Sequence, residues 1–230
     1  MGEIIEVQHI LQQEEWDCGL ACARMIFRYC NISLGEGDTE LTRVCKDLEI
    51  QKAVWTIDLA HLMSKFNIKH DFYTITFGVD PKYSTVEFYN SNTFEFSGEE
   101  FRINNLFQEA KDKGIIAYKK SLVRDEVVSR LREGQPAIVL IDASILHCQM
   151  CEGTRQQQYL QLGCCHKDRE EEERGYIGHF IVACGCNLEK GQIFYKNPAR
   201  PVDLCCCSFE NFDAARKSHG TDEDILFIHR

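Results

Sequence analysis

An α+β domain is what this sequence predicts, on three observations. Helix-period apolar patterns crowd residues 17 to 66, short strand-like runs dominate residues 137 to 229, and the 230 residues carry enough apolar side chains (44%) for a sizeable core. No internal repeat interrupts that order. One domain spanning 1–230 is expected, interrupted by a Cys-rich insertion at 144–175 where the pattern changes to cysteines, glutamines and a charge run, Lys167 to Arg174.

The elements follow in turn. Ile4 to Ile10 reads as a strand. Asp17 is a natural N-cap for a helix to about Tyr29, whose Leu20, Ala21, Ala23, Met25, Ile26 and Phe27 supply the apolar side chains. After a Gly- and acid-rich loop, a second helix is expected over Leu41 to Leu48. Thr56 caps a third, with Ile57, Leu59, Leu62, Met63 and Phe66 on one face. Lys69 to Phe77 alternates as a strand, residues 78–98 carry scattered aromatics without a clear period, and Glu99 to Lys113 reads as a helix before a strand at Ile115 to Tyr118. Ser121 caps a helix from Leu122 to Arg132 that stops at Gly134. Ala137 to Ile141 suits a strand buried on both faces. Strands at Tyr176 to Cys184 and Gln192 to Tyr195, a helix near Phe209 to Lys217 and a strand at Ile225 to His229 complete the chain.

A net charge of −10, with 36 acidic against 26 basic residues, argues against a general binder of nucleic acid or anionic membrane. No apolar run approaches the ~20 residues needed to cross a bilayer, and the N-terminus lacks the basic-then-apolar layout of a secretory signal. Thirteen cysteines, an odd number with adjacent pairs, do not read as a secreted disulfide framework. Reduced thiols in the cytoplasm or nucleus are the expectation.

Cys18 sits where the first helix begins. A thiol there faces unsatisfied backbone N–H groups and the positive end of the helix dipole, both of which favour thiolate. Gly19 leaves room for a substrate backbone, and Gln12, six residues upstream, carries an amide suited to an oxyanion. A nucleophilic thiol needs a base, and the base needs an orienting group. His179 opens the apolar run Phe180-Ile181-Val182, where an unpartnered imidazole would be costly. Asn197, eighteen residues on, ends the next strand, so an antiparallel pair brings the two side chains together.

Gln12-x5-Cys18-Gly19-x-Ala21 resembles the papain-like superfamily, and within it the bacteriocin-leader (double-glycine) processing peptidases. Trp16-Asp17-Cys18-Gly19-Leu20-Ala21-Cys22, Trp55-Thr56-Ile57-Asp58-Leu59-Ala60 and Gly220-Thr221-Asp222-Glu223-Asp224-Ile225-Leu226-Phe227 resemble the eukaryotic guanylyl cyclase domain-containing family, at sites spread over nearly the whole chain. The papain-like resemblance implies a cysteine-peptidase fold, with an N-terminal helical part carrying the nucleophile packed on a C-terminal antiparallel sheet. It implies Cys18, His179 and Asn197 as the Cys-His-Asn triad and Gln12 as the oxyanion donor, acting on a peptide or other amide without a catalytic cofactor. Leader peptidases usually carry Asp at the third position, and Asn197 offers no negative charge to an imidazolium. The cyclase resemblance implies instead conversion of GTP to cyclic GMP with Mg²⁺ or Mn²⁺. For that chemistry the sequence shows no phosphate-binding GxxxxGK[ST] loop; Asp222, Glu223 and Asp224 read as a solvated turn, and Asp58 as a surface or cap-proximal residue. A catalytically silent interaction module on the same fold is the third expectation.

A second constellation is Cys148-x2-Cys151, then Cys164-Cys165-His166 after twelve intervening residues. A CxxC knuckle with a later Cys/His pair closes a tetrahedral zinc site, so structural zinc is expected at Cys148, Cys151, Cys164 and Cys165 or His166, with His147 a further candidate. Cys205-Cys206-Cys207 carries no assigned role.

Overall fold

The computed structural model describes residues 2–80, 96–151 and 175–230. Its helices are α1 (Cys18–Tyr29), α2 (Thr39–Asp47), α3 (Thr56–Lys65), α4 (Phe96–Ala110), α5 (Arg124–Arg132) and α6 (Phe209–Arg216). Its strands are β1 (Glu3–Ile4), β2 (His70–Thr74), β3 (Ile116–Lys119), β4 (Ala137–Asp142), β5 (Gly178–Asn187), β6 (Gln192–Lys196), β7 (Cys205–Ser208) and β8 (Ile225–Ile228). Together these strands make one sheet in the order β3-β2-β8-β4-β5-β6-β7, with β1 also on β5. The pairings are antiparallel except β2 with β3, which α4 connects as a crossover. This is the α+β arrangement expected, with the Cys18 helix packed on a mainly antiparallel sheet.

Side chains that alternate along the central strands fill two cores. Ile138, Phe180, Val182, Cys184, Leu226 and Ile228 face α1 to α4, whereas Ala137, Val139, Ile141, Ile181, Ala183, Ile225 and Phe227 join the α5 and α6 residues Val127, Val128, Leu131, Phe212 and Ala215. β4 is thus buried on both faces. Helices cover both sides of the sheet, and the helical cover is not confined to the N-terminal part. α1 and α3 are enclosed nearly all round, as their continuous apolar runs demand.

Several local expectations are overturned. The first strand shrinks to Glu3–Ile4; beyond it the chain stays beside the sheet through Ile5 N to Cys184 O (2.7 Å) and Gln12 N to Pro198 O (2.9 Å). Gly185 permits this approach, since a Cβ there would lie 2.2 Å from the Glu3 carbonyl oxygen. Thr56 is not a cap: Trp55 holds that position, and Asp58 accepts its backbone N–H at 2.9 Å. Of the two places expected for Asp58 the cap-proximal one holds and the surface one does not, since it is wholly buried on Arg102 (2.6 and 3.0 Å). Ser121 likewise does not cap; Val123 does, its N–H held by Glu126 (3.0 Å), while Ser121 donates to Glu223 (2.6 Å). β7 carries no strand signal in the sequence, because a cysteine triplet has no period to read. The Cys-rich insertion expected at 144–175 lies mostly outside the described residues. Among those described, no helix is long and apolar enough to cross a membrane.

The acidic turn before β8 is buried. Asp222 gives its carbonyl to Ile75 N and Asp224 gives its own to Leu140 N, stitching β2 and β4 together. Burial first, then the Asp222 charge, pushes the Asp224 carboxyl well above its usual range, with the Thr56 and Thr74 hydroxyls opposing. A carboxyl raised in the folded state stabilises it below the unfolded pKa, and that contribution is lost as pH rises through the folded value. Asp224→Asn is therefore expected to flatten the fall in urea midpoint between acid and neutral pH; an unchanged pH slope counts against this reading.

Candidate active site

Cys18 begins α1 and is buried, with 9% of its surface exposed. The turn that delivers it is held by Asp17, whose carboxylate accepts the backbone N–H groups of Gln13 (3.1 Å) and Glu14 (3.1 Å). Arg24 pairs with that carboxylate at 3.4 Å and with Asp38 at 2.9 Å. Asp17 occupies the N-cap position without making the cap hydrogen bond, because its oxygens are turned backward onto this loop. One turn along, Cys22 is fully buried, and burial followed by the Cys18 and Asp17 charges drives its thiol far up. Of the two helix cysteines, Cys22 is a packing residue.

Gly19 serves the packing of α1. A Cβ there would lie 3.0 Å from the Phe180 ring and 3.0 Å from Val54, so the glycine lets α1 close onto β5. Phe180 follows His179, which places the base candidate on the strand segment that receives the helix start.

His179 and Asn197 meet. β5 and β6 pair antiparallel, with Val182 opposite Lys196, so Asn197 leaves β6 diagonally across from His179. His179 Nε2 lies 2.9 Å from Asn197 Oδ1, and the same oxygen accepts Ala199 N–H at 3.0 Å. That backbone donor fixes which end of the amide faces the ring, because only oxygen accepts. The imidazole hydrogen consequently sits on Nε2, and Nδ1 keeps the lone pair. Burial lowers the His179 pKa; the Asn197 bond opposes this and Arg200 adds to it. That shift favours the neutral ring, the form a general base requires. Asn197 is held from behind as well, through His9 Nε2 on its carbonyl oxygen at 2.9 Å.

Gln12 reaches this neighbourhood through its backbone bond to Pro198. Its side-chain Nε2 donates to Glu14 O at 2.8 Å, while Oε1 is buried without a hydrogen-bond partner. An amide nitrogen carries two hydrogens, so one remains for another acceptor.

Among the described residues, the knuckle cysteines of the expected set are joined by a third, Cys205. Cys148, Cys151 and Cys205 place their sulfurs within 4.8 Å of one another, and Cys151 Sγ lies 3.9 Å from Cys205 Sγ. Cys164, Cys165 and His166 lie outside the described residues. Cys205 was missed because it belongs to the strand β7, far along the chain from the knuckle, and only sheet register brings it there. Hydrogen bonding from Cys205 pushes the Cys148 thiol down to about 4, against burial, and that interaction moves Cys205 up. His147 contributes its backbone N–H to Asn211 at 2.8 Å, which ties the same loop to α6.

A family model described as guanylylate cyclase matches residues 7–228. Guanylyl cyclase 1 of Arabidopsis thaliana is 33% identical over 226 residues, which are 98% of this chain and 76% of that protein. Among solved structures, a protein described as a C39-like peptidase from Bacillus anthracis is similar over 100% of this chain and 98% of its own, with a TM-score of 0.46 and 12% identity.

Proposed function

From the premise that the chain belongs to the guanylylate cyclase family, we propose that it is a Cys-His-Asn thiol hydrolase acting on an amide bond of a peptide or protein. One observation carries this: the His179–Asn197 pair, whose hydrogen is fixed on Nε2 by the Ala199 amide. In the proposed reaction His179 Nδ1 takes the proton of the Cys18 thiol as the sulfur attacks the substrate carbonyl. The resulting oxyanion is held by the Cys18 backbone N–H and the free hydrogen of Gln12. Collapse breaks the C–N bond, and the leaving amine takes the proton from His179. Water, deprotonated by the same ring, then cleaves the thioester and restores the thiol. The eleven cysteines free of disulfides among the described residues suit a reducing setting, the cytoplasm or nucleus.

A thiol-directed acyl probe tests the proposal: label on wild type and none on Cys18→Ala is expected, and equal labelling of both removes its support. The lowered His179 pKa adds a pH prediction. The ring must be neutral to act as base, so the acid limb of kcat/KM is expected below pH 6.5. A limb at or above 6.5 contradicts a buried neutral base.

Two other readings have their own observations. The family name favours conversion of GTP to cyclic GMP with Mg²⁺ or Mn²⁺, but Asp58 and Asp224, in the segments that carry that resemblance, do not fit a divalent ion. Asp58 is spent on Arg102 and Trp55, and Asp224 is buried beside Asp222 with its carboxyl pushed toward the neutral form. A cyclic GMP assay with wild type and Cys18→Ala in parallel discriminates, since a cyclase survives loss of the thiol. A silent interaction module is favoured by the burial of Cys18 and by Phe180 packing against Gly19 at the start of α1.

A further inference from the structure

We propose that Cys148, Cys151 and Cys205 bind a zinc ion that staples the Cys148-x2-Cys151 knuckle to β7. The geometry is close to what the ion requires. Zinc–sulfur bonds of about 2.3 Å in a tetrahedron set sulfurs about 3.8 Å apart. The Cys151–Cys205 separation is 3.9 Å, and every pair in the trio lies within 4.8 Å. A disulfide needs about 2.05 Å, so the described arrangement is a thiol cluster and not a bond.

The knuckle is closed on itself, with the Cys151 backbone N–H donating to the Cys148 carbonyl oxygen at 3.2 Å. Bonds that need no metal hold the loop in place: Gln149 N to Cys206 O at 2.8 Å, His147 N to Asn211 Oδ1 at 2.8 Å, and Asn211 Nδ2 to Ile145 O at 2.8 Å. The site is therefore preorganised, and the ion would take the place of the three thiol protons. Three sulfur ligands select zinc over hard cations. Water or another donor completes the fourth position.

The staple has a consequence for the candidate triad. The β6–β7 connection begins at Asn197, which orients His179, and ends at Cys205. Metal at Cys205 anchors one end of the segment whose other end sets the imidazole.

The test uses the full chain, purified under reducing conditions without chelator or immobilised metal, and analysed for all first-row metals. About one zinc per chain is expected. Cobalt(II) exchanged into the wild type is expected to show a thiolate-to-metal charge-transfer band, a readout independent of variant folding and of hydrolase activity. Cys151→Ser and Cys205→Ser are expected to weaken metal retention at least about tenfold in competition with a chromogenic chelator. Three results overturn the proposal: a wild type that neither carries nor takes up metal, stoichiometric zinc retained by both serine variants, or a Cys151–Cys205 disulfide in protein kept reduced.

Discussion

Cys18→Ala is expected to reduce hydrolysis of an amide or activated ester substrate by at least about 10³-fold, with the folded state retained. The alanine removes only a sulfur from a side chain packed at the start of α1, while Asp17 still holds the entering turn and Gly19 still seats against Phe180. Circular dichroism and thermal midpoint separate loss of chemistry from loss of fold. His179→Ala is expected to match it, because nucleophile and base act as one unit and the two losses do not add. Asn197→Ala is expected to lose less and to leave a ring whose hydrogen is no longer fixed on Nε2. If Cys18→Ala turns over substrate at the wild-type rate, the thiol has no chemical role, and the guanylyl cyclase and interaction readings are what remain.

Arg102→Met is expected to be the most damaging single change to stability outside the cores, at about 3–5 kcal/mol. Asp58 is fully buried and Arg102 nearly so; the pair is bidentate at 2.6 and 3.0 Å and extended by Glu99 at 2.9 Å. Asp58 also accepts the Trp55 N–H at the start of α3, so the pair joins that helix start to α4. Burial already pushes the Asp58 carboxyl up against the pull of Arg102. Without the guanidinium it rises further, so the variant recovers part of its lost stability as pH falls and the carboxyl takes up a proton. Asp58→Asn added to Arg102→Met is expected to restore part of the loss, since an amide oxygen still accepts from Trp55 without a buried charge. Urea unfolding at neutral and mildly acidic pH measures both effects; a loss below about 1 kcal/mol means the pair contributes little.

The sequence by itself determined the elements whose signal is periodic. The apolar runs that make α1, α3, β4 and β5 leave few alternatives for where those residues go, and they locate Cys18 at a helix start and His179 at a strand start. The eighteen-residue spacing from His179 to Asn197 also has a local logic, because a hairpin of two adjacent strands returns the chain to its own beginning.

Tertiary structure alone decided the rest, wherever a polar side chain chooses among partners that sequence distance hides. Asp17, Thr56 and Ser121 each have the chemistry of a cap, yet Asp17 turns back to the Gln13 and Glu14 amides, and the other two starts are held by Asp58 and Glu126. The Asp222–Asp224 turn reads as solvated because acids usually are; its carbonyls are wanted by β2 and β4, and the carboxyls are buried with them. Gly19 reads as room for a substrate until Phe180 occupies the space. Cys205 is one of three consecutive cysteines with nothing local to distinguish it, and it meets Cys148 and Cys151 because β7 lies beside the loop that follows β4. A side chain's period is written in its neighbours along the chain, whereas its partner is set by strand register and packing, which form only when the whole sheet closes.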